Sequence, residues 1–287
     1  MHTPLAAAVI AYNPPPELLQ NILSYYPAVD KVIVVDNSDT AGNPTLQQLA
    51  AMDKVLLLDN KGNQGIGAAL NLAAGTAVQL GYQWLLTMDQ DSSFAAPQLA
   101  SYLQCWQTLQ QPNTGTLGIN YLKNNQGTST GCQPLAADSV ITSGSLVNLA
   151  ACMQVGGFNE ALFIDGVDDE FCFKLQLQGY KVWLLPNISL VHQLGKDVWV
   201  RNWLIGPRVQ RNIHPPVRMY YMVRNYLYLI KKYQPHFPAK AAEYKRTLRN
   251  KIKNNVLYNR QRVQVIKYIL QGVADFKKEQ LGKHRPA

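Results

Sequence analysis

Residues 31–38 read Lys-Val-Ile-Val-Val-Asp-Asn-Ser. Four consecutive β-branched residues, with no polar alternation, describe a strand covered on both faces, the habit of parallel sheets. The run ends in Asp36-Asn37-Ser38, and the same pattern recurs around it. Leu5–Ala11 runs apolar into Tyr12-Asn13, Val55–Asp59 into Asn60, and Gln83–Met88 into Asp89-Gln90-Asp91. Helical spacing fills the gaps: Leu18, Leu19, Ile22 and Leu23 recur within Glu17–Tyr25, and Ile66–Leu80 is rich in Ala and Leu. Strand and helix alternating at this interval predict βαβ units, hence an α/β fold with a mainly parallel central sheet flanked by helices. Such sheets bind ligands beyond the carboxyl ends of their strands. Polar groups at four successive strand ends describe the floor of a crevice.

The pattern loosens after residue 114. Thr116–Tyr121 and Ser139–Leu146 read as strands and Gly156-Gly157-Phe158 as a turn. Phe163–Leu177 holds an acidic cluster and then a helix, and Lys181–Leu185 and Ile188–His192 read as two short strands around Pro186-Asn187. After Pro215-Pro216 the chain becomes helical and basic. Charge divides it at nearly the same place. Residues 1–200 carry 7 basic and 15 acidic residues, net −8, and residues 201–287 carry 20 basic and 3 acidic residues, net +17, which leaves +9 overall. The expected organisation is one α/β domain over 1–200 and a basic helical extension over 201–287.

Composition excludes several classes. With 47% hydrophobic and 16% charged residues the chain folds rather than staying disordered. No apolar run approaches the roughly 18–20 residues that cross a bilayer; Val217 to Ile230 is broken by Arg218 and Arg224. Met1 to Ile10 contains no Lys or Arg and so lacks a signal-peptide n-region. Cys105, Cys132, Cys152 and Cys172 are widely spaced, which suits reduced thiols in a cytoplasmic protein better than disulfides or a zinc site.

Four groups could carry chemistry. Asp89-Gln90-Asp91 puts two carboxylates one residue apart after a strand, able to share a hard divalent cation with substrate phosphates; it is equally a polar turn. Val167-Asp168-Asp169-Glu170 opens a helix, whose free N–H groups favour negative charge, and a carboxylate there could also take a proton from a sugar hydroxyl. His192 follows a strand and is either structural or a metal ligand. Asn60-Lys61-Gly62-Asn63-Gln64-Gly65-Ile66-Gly67 lets backbone approach phosphate or sugar at a helix start. It matches neither the G-x-x-x-x-G-K-[ST] of ATPases nor a G-x-G-x-x-G dinucleotide fingerprint.

Taken in order, these motifs resemble the inverting glycosyltransferases of family 2, which have the Rossmann-like GT-A fold. The resemblance runs from about Leu5 to Gly195. It rests on Val9-Ile10-Ala11-Tyr12-Asn13-Pro14, Val34-Val35-Asp36-Asn37-Ser38, Asn60 through Asn71, Met88-Asp89-Gln90-Asp91-Ser92, Gly156-Gly157-Phe158-Asn159-Glu160 and Asp168 through Lys174. Five further features are similar to the family's bacterial rhamnosyltransferases and carry the match to about residue 233. They are the Asp-Gln-Asp-Ser form, Thr142-Ser143-Gly144-Ser145-Leu146, Phe163-Ile164-Asp165 before Val167-Asp168, Val191-His192, and Arg218-Met219-Tyr220-Tyr221 with Arg224-Asn225. Galactofuranosyltransferases share several of them.

The resemblance implies roles. Ala11, Tyr12 and Asn13 border the nucleotide base, Asp36 contacts base or ribose, and Lys61, Asn63 and Gly65 line the donor pocket. Asp89 faces the donor sugar or ribose, and Asp91 with His192 holds Mg²⁺ or Mn²⁺. The base is the second acid of a motif usually written E-D-x-D, which aligns with Asp168; Val167 replaces the leading Glu, so Asp169 stays an alternative. The implied reaction is transfer of a sugar, L-rhamnose from dTDP-L-rhamnose or a hexose from a UDP-sugar, to a saccharide or polyprenyl-linked acceptor in cell-envelope polysaccharide synthesis.

The basic extension has three candidate uses. Leu248, Ile252 and Val256, then Ile266, Ile269, Leu270, Val273 and Phe276, recur at helical spacing among Lys and Arg. That pattern serves packing on the chain's own domain, docking at the inner face of an anionic membrane, or nucleic acid. The membrane or a lipid-linked acceptor is the favoured partner, nucleic acid is not expected, and self-association stays open. The rival to an enzyme is a nucleotide-sensing α/β domain with a nucleic-acid-binding tail, which leaves Asp91, Asp168 and His192 without a task.

Overall fold

In a computed structural model, the structure describes residues 3–120, 131–192, 198–201, 208–211 and 213–284, without the side chains of 192, 198–201 and 208–210. Two compact units form. One comprises Met1–Phe163 with Val167–Gln193, the other Ile164–Gly166 with Leu194–Ala287.

The first unit runs β1 (Ala6–Ala11), α1 (Glu17–Leu23), β2 (Lys31–Asp36), α2 (Pro44–Ala50), β3 (Val55–Asp59), α3 (Ile66–Gln79), β4 (Trp84–Asp89), β5 (Ser92–Ser93) and α4 (Ala96–Leu109). It continues through β6 (Thr114–Asn120), β7 (Leu135–Ala136), β8 (Ser145–Asn148), α5 (Leu149–Gln154), α6 (Val167–Leu177), β9 (Lys181–Ser189) and β10 (Val191–His192). Eight strands form one sheet in the order β3-β2-β1-β4-β8-β6-β9-β7. The β1–β2, β2–β3, β1–β4 and β6–β9 pairs are parallel, whereas β8 runs antiparallel between β4 and β6. Alternate residues of the central strands (Ala7 and Val9, Val32 and Val34, Leu86 and Met88) pack with Leu18, Ile22 and Tyr102 in one core. The other alternates, among them Ala8, Ile33, Val35 and Leu85, are equally buried. Both faces are therefore covered, as the unbroken apolar runs require.

Two expected elements differ. Lys181–Ser189 is one strand, not two; a register irregularity between Ile119 and Asn120 absorbs Pro186, whose missing N–H a bulge tolerates. Of Ser139–Leu146 only Ser145 and Leu146 are strand, because Thr142–Gly144 forms a turn with Gly144 at φ +77°. Tyr121, the end of an expected strand, lies outside the described residues.

Asn71 of α3 shows how a motif residue can be structural. Its Nδ2 donates to the Phe158 carbonyl at 2.9 Å and to Glu160 Oε1 at 2.8 Å, and its Oδ1 accepts from the Phe158 N–H at 2.7 Å. This ties the Gly156-Gly157-Phe158 turn to the helix.

The second unit contains the hairpin β11 (Val198–Arg201) and β12 (Arg208–Arg211), then α7 (Pro216–Tyr233), α8 (Pro238–Tyr258) and α9 (Arg262–Lys277). Met219, Met222 and Val265 form its core with Ile252, Val256 and Ile269. Gly272 lets α9 approach α7 closely, since a Cβ there would lie 2.7 Å from the Tyr220 carbonyl oxygen. Among the described residues no helix is long and apolar enough to cross a membrane.

Asn71→Ala should lower the unfolding free energy by about 1–3 kcal/mol, because it leaves the Phe158 backbone groups without their partners. Urea denaturation of the intact protein checks this.

Candidate active site

Parallel register brings the polar strand ends to one edge. Ala11 pairs with Asp36, Asp36 with Asp59, and Ile10 with Asp89. The strand order turns around β1, which has β2 on one side and β4 on the other. The crevice of such a sheet opens at this switch point. Gln90 closes the gap between the two loops: its Oε1 accepts from the Tyr12 N–H at 2.8 Å and its Nε2 donates to the Tyr12 carbonyl at 3.2 Å. The middle residue of Asp-Gln-Asp is thus a strut, with Asp89 and Asp91 on either side of it in sequence.

On the β2 side the residues form a web centred on Asn37. Its Oδ1 accepts from Asn60 Nδ2 at 2.8 Å and from the Gln64 N–H at 3.0 Å, while its Nδ2 donates to Asn63 Oδ1 at 3.3 Å. Asp36 Oδ1 accepts from the Ser38 N–H, and Ser38 Oγ accepts from the Asn13 N–H. Asp39 receives the Tyr12 hydroxyl and the Asn63 N–H. Asn13 and Lys61 adopt left-handed backbone, with φ of 43° and 55°. Tyr12 remains 44% exposed, an aromatic face open at the rim. Gly65 answers a closer neighbour than any ligand: a Cβ there would lie 2.6 Å from the Phe163 carbonyl oxygen, and the next N–H, that of Ile66, donates to that oxygen at 2.8 Å.

The acidic cluster separates into different environments. Glu170 is buried and structural, 3.5 Å from Lys174 Nζ and accepting from Asn159. Lys174 also donates to the Gly157 carbonyl. Asp168 lies in the first turn of α6. Burial, followed by the carboxylates of Asp169 and Asp89, pushes its carboxyl up to about 7, against hydrogen bonds from the Thr142 side chain and backbone. Asp89 and Asp168, 79 positions apart, therefore share one electrostatic site.

The turn containing Thr142 also supports the other acid. Ser143 Oγ accepts from the Asp89 N–H at 3.2 Å and donates to Ser92 Oγ at 2.9 Å, with Ser92 and Ser143 both buried. Thr142 and Ser143 had no role in the sequence reading beyond belonging to a matched motif. Polar residues beside a left-handed glycine were the available signal. Backbone pairing sets His192 opposite Ser92, next to Asp91; the His192 side chain lies outside the description. Among the described residues, no group of three His, Cys, Asp or Glu side chains stands ready to hold a metal ion.

Residues 7–128 match the sequence profile described as Glycosyl transferase family 2. Over 250 residues, 81% of each chain, the sequence is 30% identical to the dTDP-rhamnosyl transferase RfbF of Shigella flexneri. The chain belongs to glycosyltransferase family 2. This membership decides for an enzyme over a nucleotide-sensing module. The fold agrees with solved glycosyltransferases. TarS of S. aureus, residues 1–349 in complex with UDP-GlcNAc, superposes with a TM-score of 0.60 at 16% identity over 97% of this chain and 82% of that one. GalNAc-T7 with UDP, GalNAc and Mn²⁺ superposes with a TM-score of 0.54 at 12% identity, over 66% of this chain and 44% of that one.

In this glycosyltransferase the raised Asp168 carboxyl has a consequence for stability. An acid whose folded pKa lies above its unfolded value binds more protons when folded, so stability falls as pH rises from about 4 through about 7. Asp168→Asn removes that dependence. At pH 8 the variant should be more stable than the wild type by about 1–3 kcal/mol, and the gap should close below pH 4. Thermal denaturation at the two pH values checks the sign.

Proposed function

We propose that the protein transfers L-rhamnose from dTDP-L-rhamnose to a saccharide or polyprenyl-linked acceptor, with inversion and Asp168 as base. The observation that carries this is the meeting of Asp168 with Asp89. It sets a carboxyl with a pKa near neutrality beside the strand edge where a nucleotide donor binds. The choice of sugar is supported by the 30% identity to a dTDP-rhamnosyl transferase.

In the reaction a bond forms between the acceptor oxygen and the anomeric carbon as the bond from that carbon to the diphosphate oxygen breaks. Nucleoside diphosphate departs and the acceptor proton passes to Asp168. A base with a pKa near the working pH is suited to this transfer. Tyr12, Asn13 and Asp36 are assigned to the nucleoside, and Lys61, Asn63 and Gly65 to the ribose and diphosphate side.

The donor set suits a divalent cation. The carboxylates of Asp169 and Asp89 act on Asp168, and Asp91, with His192 paired through its backbone to the neighbouring Ser92, would supply two protein ligands, the usual number where substrate phosphates complete the shell. When bound, Mg²⁺ or Mn²⁺ would stabilise the charge on the departing diphosphate as a Lewis acid.

Asp168→Asn should lower transfer from dTDP-L-rhamnose by about 10²–10⁴-fold while dTDP affinity with Mn²⁺ stays unchanged. A panel including UDP-sugars tests the donor in the same assay. Full activity in this variant with loss in Asp169→Asn would move the base to Asp169.

The basic unit is assigned to the inner face of an anionic membrane. On α9, Val263 and Leu270 are 82% and 64% exposed, with Ile266, Lys267 and Lys277 on the same side by helical spacing. Val265, Ile269 and Gly272 face the unit's own helices. An apolar line bordered by lysines is the pattern of an interfacial helix, each basic residue near the surface adding about 1 kcal/mol. Anionic vesicles should bind the protein in a salt-sensitive way, and Val263→Glu with Leu270→Glu should abolish binding. Equal binding to neutral vesicles would sink the electrostatic account.

A further inference from the structure

Three residues of the catalytic stretch belong to the basic unit. The chain leaves the sheet unit at Phe163, contributes Ile164–Gly166 to the helical unit, and returns at Val167, one residue before Asp168. The crossing is conformationally costly. Phe163 sits at φ 66°, ψ −57°, Asp165 at φ 63° and Gly166 at φ 87°. Left-handed backbone in non-glycine residues persists only where neighbours over-determine it.

Two residues of α7 do so. Asn225 Nδ2 donates to the Ile164 carbonyl at 2.6 Å and to the Asp165 carbonyl at 2.9 Å. Arg218 grips the Asp165 carboxylate in a fork, Nη2 at 3.0 Å and Nε at 3.3 Å. A third contact fits Gly166, where a Cβ would lie 2.8 Å from Leu229 Cδ1. The Asn225 amide has a defined sense: its Oδ1 accepts from Arg224 Nε at 2.9 Å, so its amino group must face the two carbonyls. Arg224 is fully buried and donates to the Tyr220 hydroxyl and the Gly282 carbonyl. Arg218, Tyr220, Arg224 and Asn225 make up most of the Arg218–Tyr221 and Arg224-Asn225 motif, which no donor or acceptor role had absorbed.

We infer that Arg218 and Asn225 are positioning residues that set Asp168 by holding the strained lead-in at Ile164–Gly166. The inference rests on Asp168 being the base. Its reach is covalent, because consecutive Cα atoms are 3.8 Å apart and three peptide bonds separate Asp165 from Asp168. Repacking of the clamp therefore moves the start of α6, and small misplacements of a reacting group are expensive in rate.

Arg218 is half-exposed, so its replacement should leave the protein folded. Arg218→Ala should lower kcat about ten- to hundredfold while donor KM and dTDP affinity stay within about twofold. Arg218→Lys should restore part of kcat. Asn225→Asp, which keeps the acceptor for Arg224 and removes both donors, should behave like Arg218→Ala. Hydrogen–deuterium exchange of the intact protein should rise over residues 161–168 in Arg218→Ala and not over β1 or β4. Unchanged kcat in folded Arg218→Ala, loss of dTDP affinity in step with kcat, or unaltered exchange over 161–168 would each overturn the inference. Asp168→Asn with full transfer would instead remove the base assignment, and the exchange result would still decide whether the clamp exists.

Discussion

Like charges meeting at one edge of a parallel sheet are the constraint around which this molecule is arranged. Parallel pairing makes β1, β2, β3 and β4 end together, and a polar residue stands at or just after each end. Asp89 arrives from β4 and Asp168 from the first turn of α6, close enough for the Asp89 carboxylate to disfavour ionisation of Asp168. A fold built for stability alone would separate them. Here the strands, a glycine-bearing turn and a helix start all bring them together.

Among the described residues, the scaffold meets that cost with hydroxyl, amide and backbone groups. Thr142 serves Asp168, and Ser143 holds the Asp89 backbone and Ser92, so one turn supports both acids. Gln90 and Asn37 make reciprocal and multiple bonds across neighbouring strand ends. Side-chain amides suit this task because each offers donors and acceptors without adding charge. Glu170, two residues after Asp168, instead lies 3.5 Å from Lys174 Nζ. The contrast between an acidic stretch and a basic one thus gains content: much of the acidity is gathered at one edge, and most of the basic charge lies on a unit with its own core.

Much of this is legible in the sequence. Unbroken runs such as Lys31–Asp36 can only be strands covered on both sides, and their order with intervening helices implies a parallel sheet. The acids after those runs pointed to the crevice. Less visible was α4, whose buried residues Leu99, Tyr102, Cys105 and Trp106 follow helical spacing without a conventional apolar stripe. Pro186 suggested a break in β9 that a bulge instead absorbs. The line of apolar residues in the last helix looked like a single stripe, but Ile269 packs inward while Ile266 and Leu270 face out.

The amino-acid sequence by itself determined the parallel α/β architecture, the division of charge near residue 200 and the membership of the acidic motifs, because periodicity and residue type act over a few neighbouring positions. Only the tertiary structure decided which acids meet, which are neutralised and which polar residues hold them. It also decided that Asn71 ties the Gly156–Phe158 turn to α3, that Gly65 admits the Phe163 carbonyl, and that Ile164–Gly166 belongs with α7 rather than with the sheet. Desolvation, close backbone approach and pairing between residues dozens of positions apart have no local signature. They exist only once the chain has brought those residues together.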